Sequence, residues 1–210
     1  MVQTLPISKT LTTLADVKLR FSIDFSTDST FFTEWFEDLP VLTTVEQQQL
    51  DHIQSRFLIH RERASLPEGA VDKLMISPLL DLAGLYDPKF TIRTEASVAI
   101  VLEDRGEVLT GRMDTLILRD RLWVLVVEAK NSTFSLSIAL PQILTYMLSA
   151  SQLDQPLFGL ITNGEEFRFV KLQQIHDRAI VDLSDILSVM PASRSRLMQV
   201  VQVLKGWAIG

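Results

Sequence analysis

The spacing of apolar residues changes character along the chain. Over residues 17–25, Val17, Leu19, Phe21, Ile23 and Phe25 alternate with Lys18, Arg20, Ser22 and Asp24. A period of two predicts a half-buried strand. Residues 30–39 carry Phe31, Phe32, Trp35 and Phe36 ahead of Pro40, and predict a short helix whose rings pack into a core. Thr43 and Glu46 then have the spacing of a reciprocal helix cap, and Leu50, Ile53, Phe57 and Leu58 follow at helical intervals. A long helix is expected from about residue 43 to just before Pro67. A second, over residues 68–82, puts Val71, Leu74, Met75, Leu79 and Leu82 on one face, with Gly84 closing it. Pro78 inside that run predicts a kink.

From Phe90 onward the texture is that of strands. Residues 90–102, 108–118 and 122–129 predict three in succession, joined by polar turns at 104–106 and 119–121. The third is continuously apolar, as in a strand covered on both faces. A helix follows within residues 135–150, with Pro141 at its start or at a kink. Residues 157–162 predict a buried strand. Asn163-Gly164 is a hairpin turn, and Phe167, Phe169 and Leu172 continue beyond it. A short helix over 184–189 and a last one over 192–207 complete the order. The fold class expected is α/β, a mixed sheet with helices on both faces. Residues 1–66 form an N-terminal strand and helix extension, and residues 67–210 the main domain.

Composition narrows the function classes. The absence of cysteine excludes disulfides, thiolate metal sites and cysteine nucleophiles, and fits a cytoplasmic setting. Residues 1–9 lack a basic region followed by an apolar stretch, and no apolar run approaches the ~20 residues of a membrane span, so neither a secretory signal nor a membrane partner is expected. The three histidines form no His-Glu-x-x-His pair, and phosphate-loop and dinucleotide glycine motifs are missing. A formal net charge of -6 argues against a strongly basic, autonomous DNA-binding surface, although a local basic patch such as Arg56, His60, Arg61 and Arg63 is compatible with it.

Three ionisable residues interrupt apolar strands. Asp114 lies within Met113-Asp114-Thr115-Leu116, and Glu128-Ala129-Lys130 ends the third strand. Alternation puts Glu128 and Lys130 on one face. Two carboxylates held together repel unless a cation lies between them, and a hard divalent ion such as magnesium (or manganese) answers that need. Such an ion acidifies bound water and screens charge on a phosphate, while a lysine could orient the water or steady the transition state. The competing reading is a pair of solvated strand ends with an acid on an edge.

The order Met113-Asp114, a gap of thirteen residues, Glu128-Ala129-Lys130, then a helix with Gln142 and Tyr146 four apart, resembles the PD-(D/E)XK nuclease superfamily. The Gln-x-x-x-Tyr helix is similar to that of RecB-type nucleases and of the N-terminal nuclease domains of type I restriction motor subunits. The upstream helix, with Glu68 and Ile76-Ser77-Pro78-Leu79-Leu80, also resembles the opening helix of those domains. Met113 stands where the name-giving motif has proline. The resemblance implies a restriction-endonuclease-like core and a metal-dependent DNA endonuclease. It assigns Asp114 and Glu128 to metal, Glu68 to supporting it, Lys130 to catalysis, and Gln142 and Tyr146 to positioning. DNA is the implied partner; a homodimer, or a separate motor or specificity subunit, is compatible with it. The alternative is a nuclease-fold module with little catalysis, used for DNA binding or protein assembly.

Overall fold

The computed structural model describes residues 3–102, 105–119, 122–150, 155–190 and 193–209. The tip of the 119–121 turn, the start of the 104–106 turn and Ala192 lie outside the described residues.

The meander expected from the sequence forms the heart of the sheet. Strands β3 (Phe90–Leu102), β4 (Glu107–Arg119) and β5 (Leu122–Ala129) run antiparallel in succession. Beyond helix α6 (Leu136–Leu148), β6 (Leu157–Thr162) lies parallel to β5, and β7 (Glu166–Ile175) returns antiparallel to β6. The N-terminal extension supplies two further strands. Strands β1 (Gln3–Pro6) and β2 (Ile23–Phe25) join the same sheet, β1 beside β4 and β2 beside β8 (Arg178–Leu183), each pairing parallel. The sheet is therefore mixed, with strand order β1-β4-β5-β6-β7-β8-β2, β3 on β4, and a two-residue β9 (Leu187–Ser188) on β7.

Helices cover both faces. Helices α3 (Thr44–Arg63), α4 (Glu68–Val71), α5 (Ser77–Leu82) and α7 (Arg194–Ile209) pack on one face, against Ile117, Leu125, Val127, Ala129, Leu160 and Phe169. On the other, α1 (Ile7–Thr10), α2 (Leu14–Arg20) and α6 pack against Leu116, Leu118, Val126, Ile161 and Val170. The long helix starts as expected: Thr43 and Glu46 cap each other reciprocally. Between α4 and α5 the run from Glu68 widens into a π turn, Asp72–Ile76, in which Ser77 N–H reaches back to Asp72 O. Pro78 follows in the first turn of α5 and has no N–H to give, so the irregularity stands just before it.

Three sequence expectations are corrected. Residues 17–25 are not one strand. Thr13 and Asp16 form a reciprocal cap that starts α2, whose apolar contacts Leu14, Val17 and Phe21 are spaced three and four apart; only Ile23–Phe25 is extended. Residues 30–39 form separate turns rather than a helix. Asp28 binds the Thr30 amide and hydroxyl, Thr33 O takes the Phe36 and Glu37 amides, and Asp38 turns left-handed at φ 48°. Phe32 is buried and stacked on Phe158, Phe31 and Trp35 pack partly buried against the same core, and Phe36 stays exposed. Residues 184–189 are not a helix, because Ser184 exchanges hydrogen bonds with the Phe169 backbone and Leu187 pairs with Phe167 in the sheet.

Candidate active site

The β3–β4 ribbon reverses its faces partway along. On β4, Leu109 and Met113 belong to the α6-side core, but so do Leu116 and Leu118, so the odd–even alternation inverts between 113 and 116. β3 inverts alongside: Phe90 faces the α3-side core, whereas Ala96, Val98 and Ile100 pack on the α6 side. Glu95 stands at the switch with φ 50°, a left-handed backbone that is rare outside glycine and asparagine. The inversion leaves Asp114 and Thr115 together on the wall of one cavity. Its other lining residues include Glu68, Asp72, Thr94 and Glu95, and its volume is about 290 Å³.

Asp114 and Glu128 lie near enough at the β4–β5 junction for the charge of Asp114 to act on Glu128. The β4–β5 ladder ends with Thr115 opposite Val127, and Asp114 and Glu128 are the next residues beyond it on the two strands. Asp114 Oδ2 accepts the Ala129 backbone N–H at 2.6 Å. Glu128 is wholly buried, and continues the Val126 face rather than lining the cavity. Its Oε1 takes Lys130 Nζ at 2.5 Å, and its Oε2 has no hydrogen-bond partner among the described residues.

These groups are electrostatically tense. Burial pushes the Asp114 carboxyl up to about 6, against the pull of the Ala129 N–H, with the Glu68 carboxylate adding to the rise. Burial, then repulsion from Asp114, pushes Glu128 up to about 8 despite Lys130. For Lys130, burial pulls the other way, but Glu128 and the other carboxylates raise it overall, so it stays an ammonium.

Helix α6 supplies the remaining pair. Pro141 is tolerated inside it, and Thr145 Oγ1 donates to the Pro141 carbonyl. Gln142 Nε2 donates to Tyr146 Oη at 2.8 Å, and the Arg112 backbone N–H donates to the same oxygen at 3.3 Å. The Tyr146 hydroxyl is raised by burial and by the nearby Glu128.

The match to a family model comes next to this geometry. The model describing the N terminus of the type I restriction enzyme R protein matches residues 47–178. The chain belongs to that family. The match runs from α3 through β7 and contains all six candidate residues, from Glu68 to Tyr146. Membership makes this R-protein N-terminal domain a nuclease-type module of the restriction-enzyme kind. Among solved structures, it is similar to a fragment described as an HsdR subunit of a type I restriction enzyme from Vibrio vulnificus, at 17% identity and a TM-score of 0.39. That alignment covers 66% of this chain and 26% of the other, so this chain spans about a quarter of that relative. No curated protein matches the chain.

Membership does not by itself provide a complete metal cage. Among the described residues, no three of His, Cys, Asp and Glu are gathered to hold an ion. Glu68 is exposed at the cavity mouth. Asp72, Thr115 and Glu95 also wall the cavity and were not among the candidates read from the sequence. The signal for Glu95 was backbone conformation, which its residue type conceals.

Proposed function

We propose that this R-protein N-terminal domain is a metal-dependent DNA endonuclease module of the PD-(D/E)XK type. The observation that carries the reading is Glu128: a fully buried carboxylate with one oxygen unpartnered, opposite a second carboxylate whose pKa is also raised. Such a pair fits a divalent cation. Magnesium is commonly held by one or two carboxylates, with water and substrate phosphate completing its shell, so two acids suffice. When bound, the ion would acidify water and screen charge on the scissile phosphate.

The chain's own residues have separable roles. Asp114 and Glu128 would hold the ion, and Glu68 at the cavity mouth would support it. Lys130, kept protonated by its acidic neighbours, gives up its Glu128 contact and donates to the attacking water or the phosphate oxygen. Gln142 and Tyr146 position β4 beneath the acids. DNA is the substrate of this reading, a separate motor or specificity subunit its partner, and the cytoplasm its setting; a homodimer is compatible with it. Among the described residues, no helix is long and apolar enough to cross a membrane.

The test is incubation with plasmid and linear DNA in magnesium or manganese, beside Lys130→Ala. Cleavage that requires metal and Lys130 is expected. Equal background in both proteins sinks the reading. The second reading, a nuclease fold kept for binding or assembly, is favoured by one observation, the acidic net charge of -6. It predicts no manganese binding alongside a stable DNA or protein complex.

A further inference from the structure

Charge is segregated around α3. At ~100° per residue, Val45, Gln48, Gln49, His52, Arg56, Ile59, His60 and Arg63 all fall within about 120° of helix surface. The stripe they form is about 27 Å long from Val45 to Arg63. No acid of α3 lies on it. Glu46 caps the helix and pairs with Lys205, Asp51 pairs with Arg194, and Glu62 lies off the arc. The buried face is elsewhere, at Leu50, Ile53 and Phe57. Val45 is 63% and Ile59 50% exposed, so nothing in the described fold covers the stripe.

The arginines and histidines on it are uncommitted. Among the described residues, no side-chain hydrogen bond or ion pair engages His52, Arg56, His60 or Arg63, whereas Arg20, Arg61, Arg112, Arg178 and Arg194 all hold carboxylates. Gln48, Gln49, His52 and Arg56 also line a groove of about 410 Å³ between α3 and α5, where Asp81 is the one acid among the lining residues. The stripe leads toward the site. Residues 64–67 connect its last arginine to Glu68 at the mouth of the Asp114 cavity. Within that connection, the Leu66 N–H donates to the Ser132 hydroxyl and the Ser132 N–H donates to the Leu66 carbonyl, just beyond Lys130.

We propose that the outer face of α3 is the surface that holds a nucleic-acid duplex backbone, with Arg56 and Arg63 as its phosphate contacts. The inference rests on the endonuclease reading for its substrate, and supplies what an acidic chain otherwise lacks. Arginine, histidine and glutamine donors in a row, with hardly an acid facing them, suit a line of phosphate oxygens. An acidic protein partner would share the charge, and is separated by the test.

The experiment measures anisotropy of a fluorescein-labelled DNA duplex, without metal, across a salt series. It uses the full chain, Arg56→Glu/Arg63→Glu, and a control of equal charge change off the stripe, Lys9→Glu/Arg196→Glu. The stripe variant should bind roughly tenfold or more weakly than the control, with a log–log salt slope shallower by about 2, close to the ~0.9 expected per lost phosphate contact. Arg56→Gln/Arg63→Gln should fall between, and guards against misfolding by the reversed charges. Equal binding by stripe variant and control overturns the proposal, as does absence of duplex binding by the parent chain. So does displacement by polyglutamate as readily as by unlabelled duplex. Manganese calorimetry on the same proteins separates the two readings. Metal binding with stripe-independent DNA binding fails this proposal alone; stripe-dependent DNA binding without metal binding fails the endonuclease reading alone.

Discussion

The phenol oxygen of Tyr146 accepts the Arg112 backbone N–H where the edge of β4 away from β3 has no strand beside it. β1 pairs with Glu107–Thr110 and β5 with Thr115–Arg119, both on the edge of β4 away from β3. Residues 111–114 face the gap between them. Tyr146 from α6 fills part of that gap, and Asp114 closes the rest by taking the Ala129 N–H. Asp114 and Tyr146 therefore repair the same break in the sheet. Gly111 completes the fit: a Cβ there would lie 2.7 Å from Tyr146 Cε1 and 3.0 Å from Ile7 Cδ1.

Gly111→Ala should therefore destabilise the chain by about 1–3 kcal/mol, the usual range for overpacking a filled core. The cost should shrink when Tyr146 is also cut back to alanine, because the two changes share one contact. Chemical denaturation of the four proteins of this cycle measures it. Additive costs would mean that the ring is not what excludes a side chain at Gly111.

Tyr146→Phe keeps the ring and removes the acceptor. The Arg112 N–H and the Gln142 amide each lose their partner, at an expected cost of about 1–3 kcal/mol. Gln142→Leu should cost less, since Arg112 N–H keeps its acceptor. If both variants melt with the parent, the hydroxyl does not brace β4, and its role lies with substrate alone.

Legibility differed between the two halves of the chain. The β3–β4–β5 meander and α6 could be read because their patterns are local and long. Asp114, Glu128 and Lys130 stood out because charges interrupt apolar strands. Residues 17–25 misled because their apolar positions fit a period of two and, through Val17 and Phe21, a helical spacing as well; the Thr13–Asp16 cap decided for the helix. The places of β1 and β2 depend on β4 and β8, far away in sequence, and no local pattern carries that. The face inversion at Glu95 and Asp114 was equally hidden, since it lies in backbone conformation.

Metal binding should release protons. Asp114 near 6 and Glu128 near 8 are both partly protonated at neutral pH, and a cation needs them ionised. Manganese affinity should rise between pH 6 and pH 8, and calorimetric heats in buffers of different ionisation enthalpy should show net proton release. Asp114→Asn should abolish binding. Affinity independent of pH would mean that neither acid holds the ion.

Without metal, the same shifts predict the opposite trend for stability. The carboxyl pKa of Glu128 is raised in the fold, from 4.5 to about 8, so the native state holds a proton that the unfolded chain has lost. Stability from this group is fully present below about pH 4.5 and is lost as pH rises through about 8; Asp114 adds the same sign at lower pH, through about 6. The metal-free protein should therefore melt at progressively lower temperature from pH 5 to pH 9. Glu128→Gln cannot ionise, so its melting temperature should fall less over that range and exceed the parent's at the alkaline end. Saturating manganese should flatten the parent's profile, because the bound ion stabilises the ionised form. A parent profile that stays level, or one matched by Glu128→Gln, would show that Lys130 already neutralises the buried acid and leaves a cation nothing to offset.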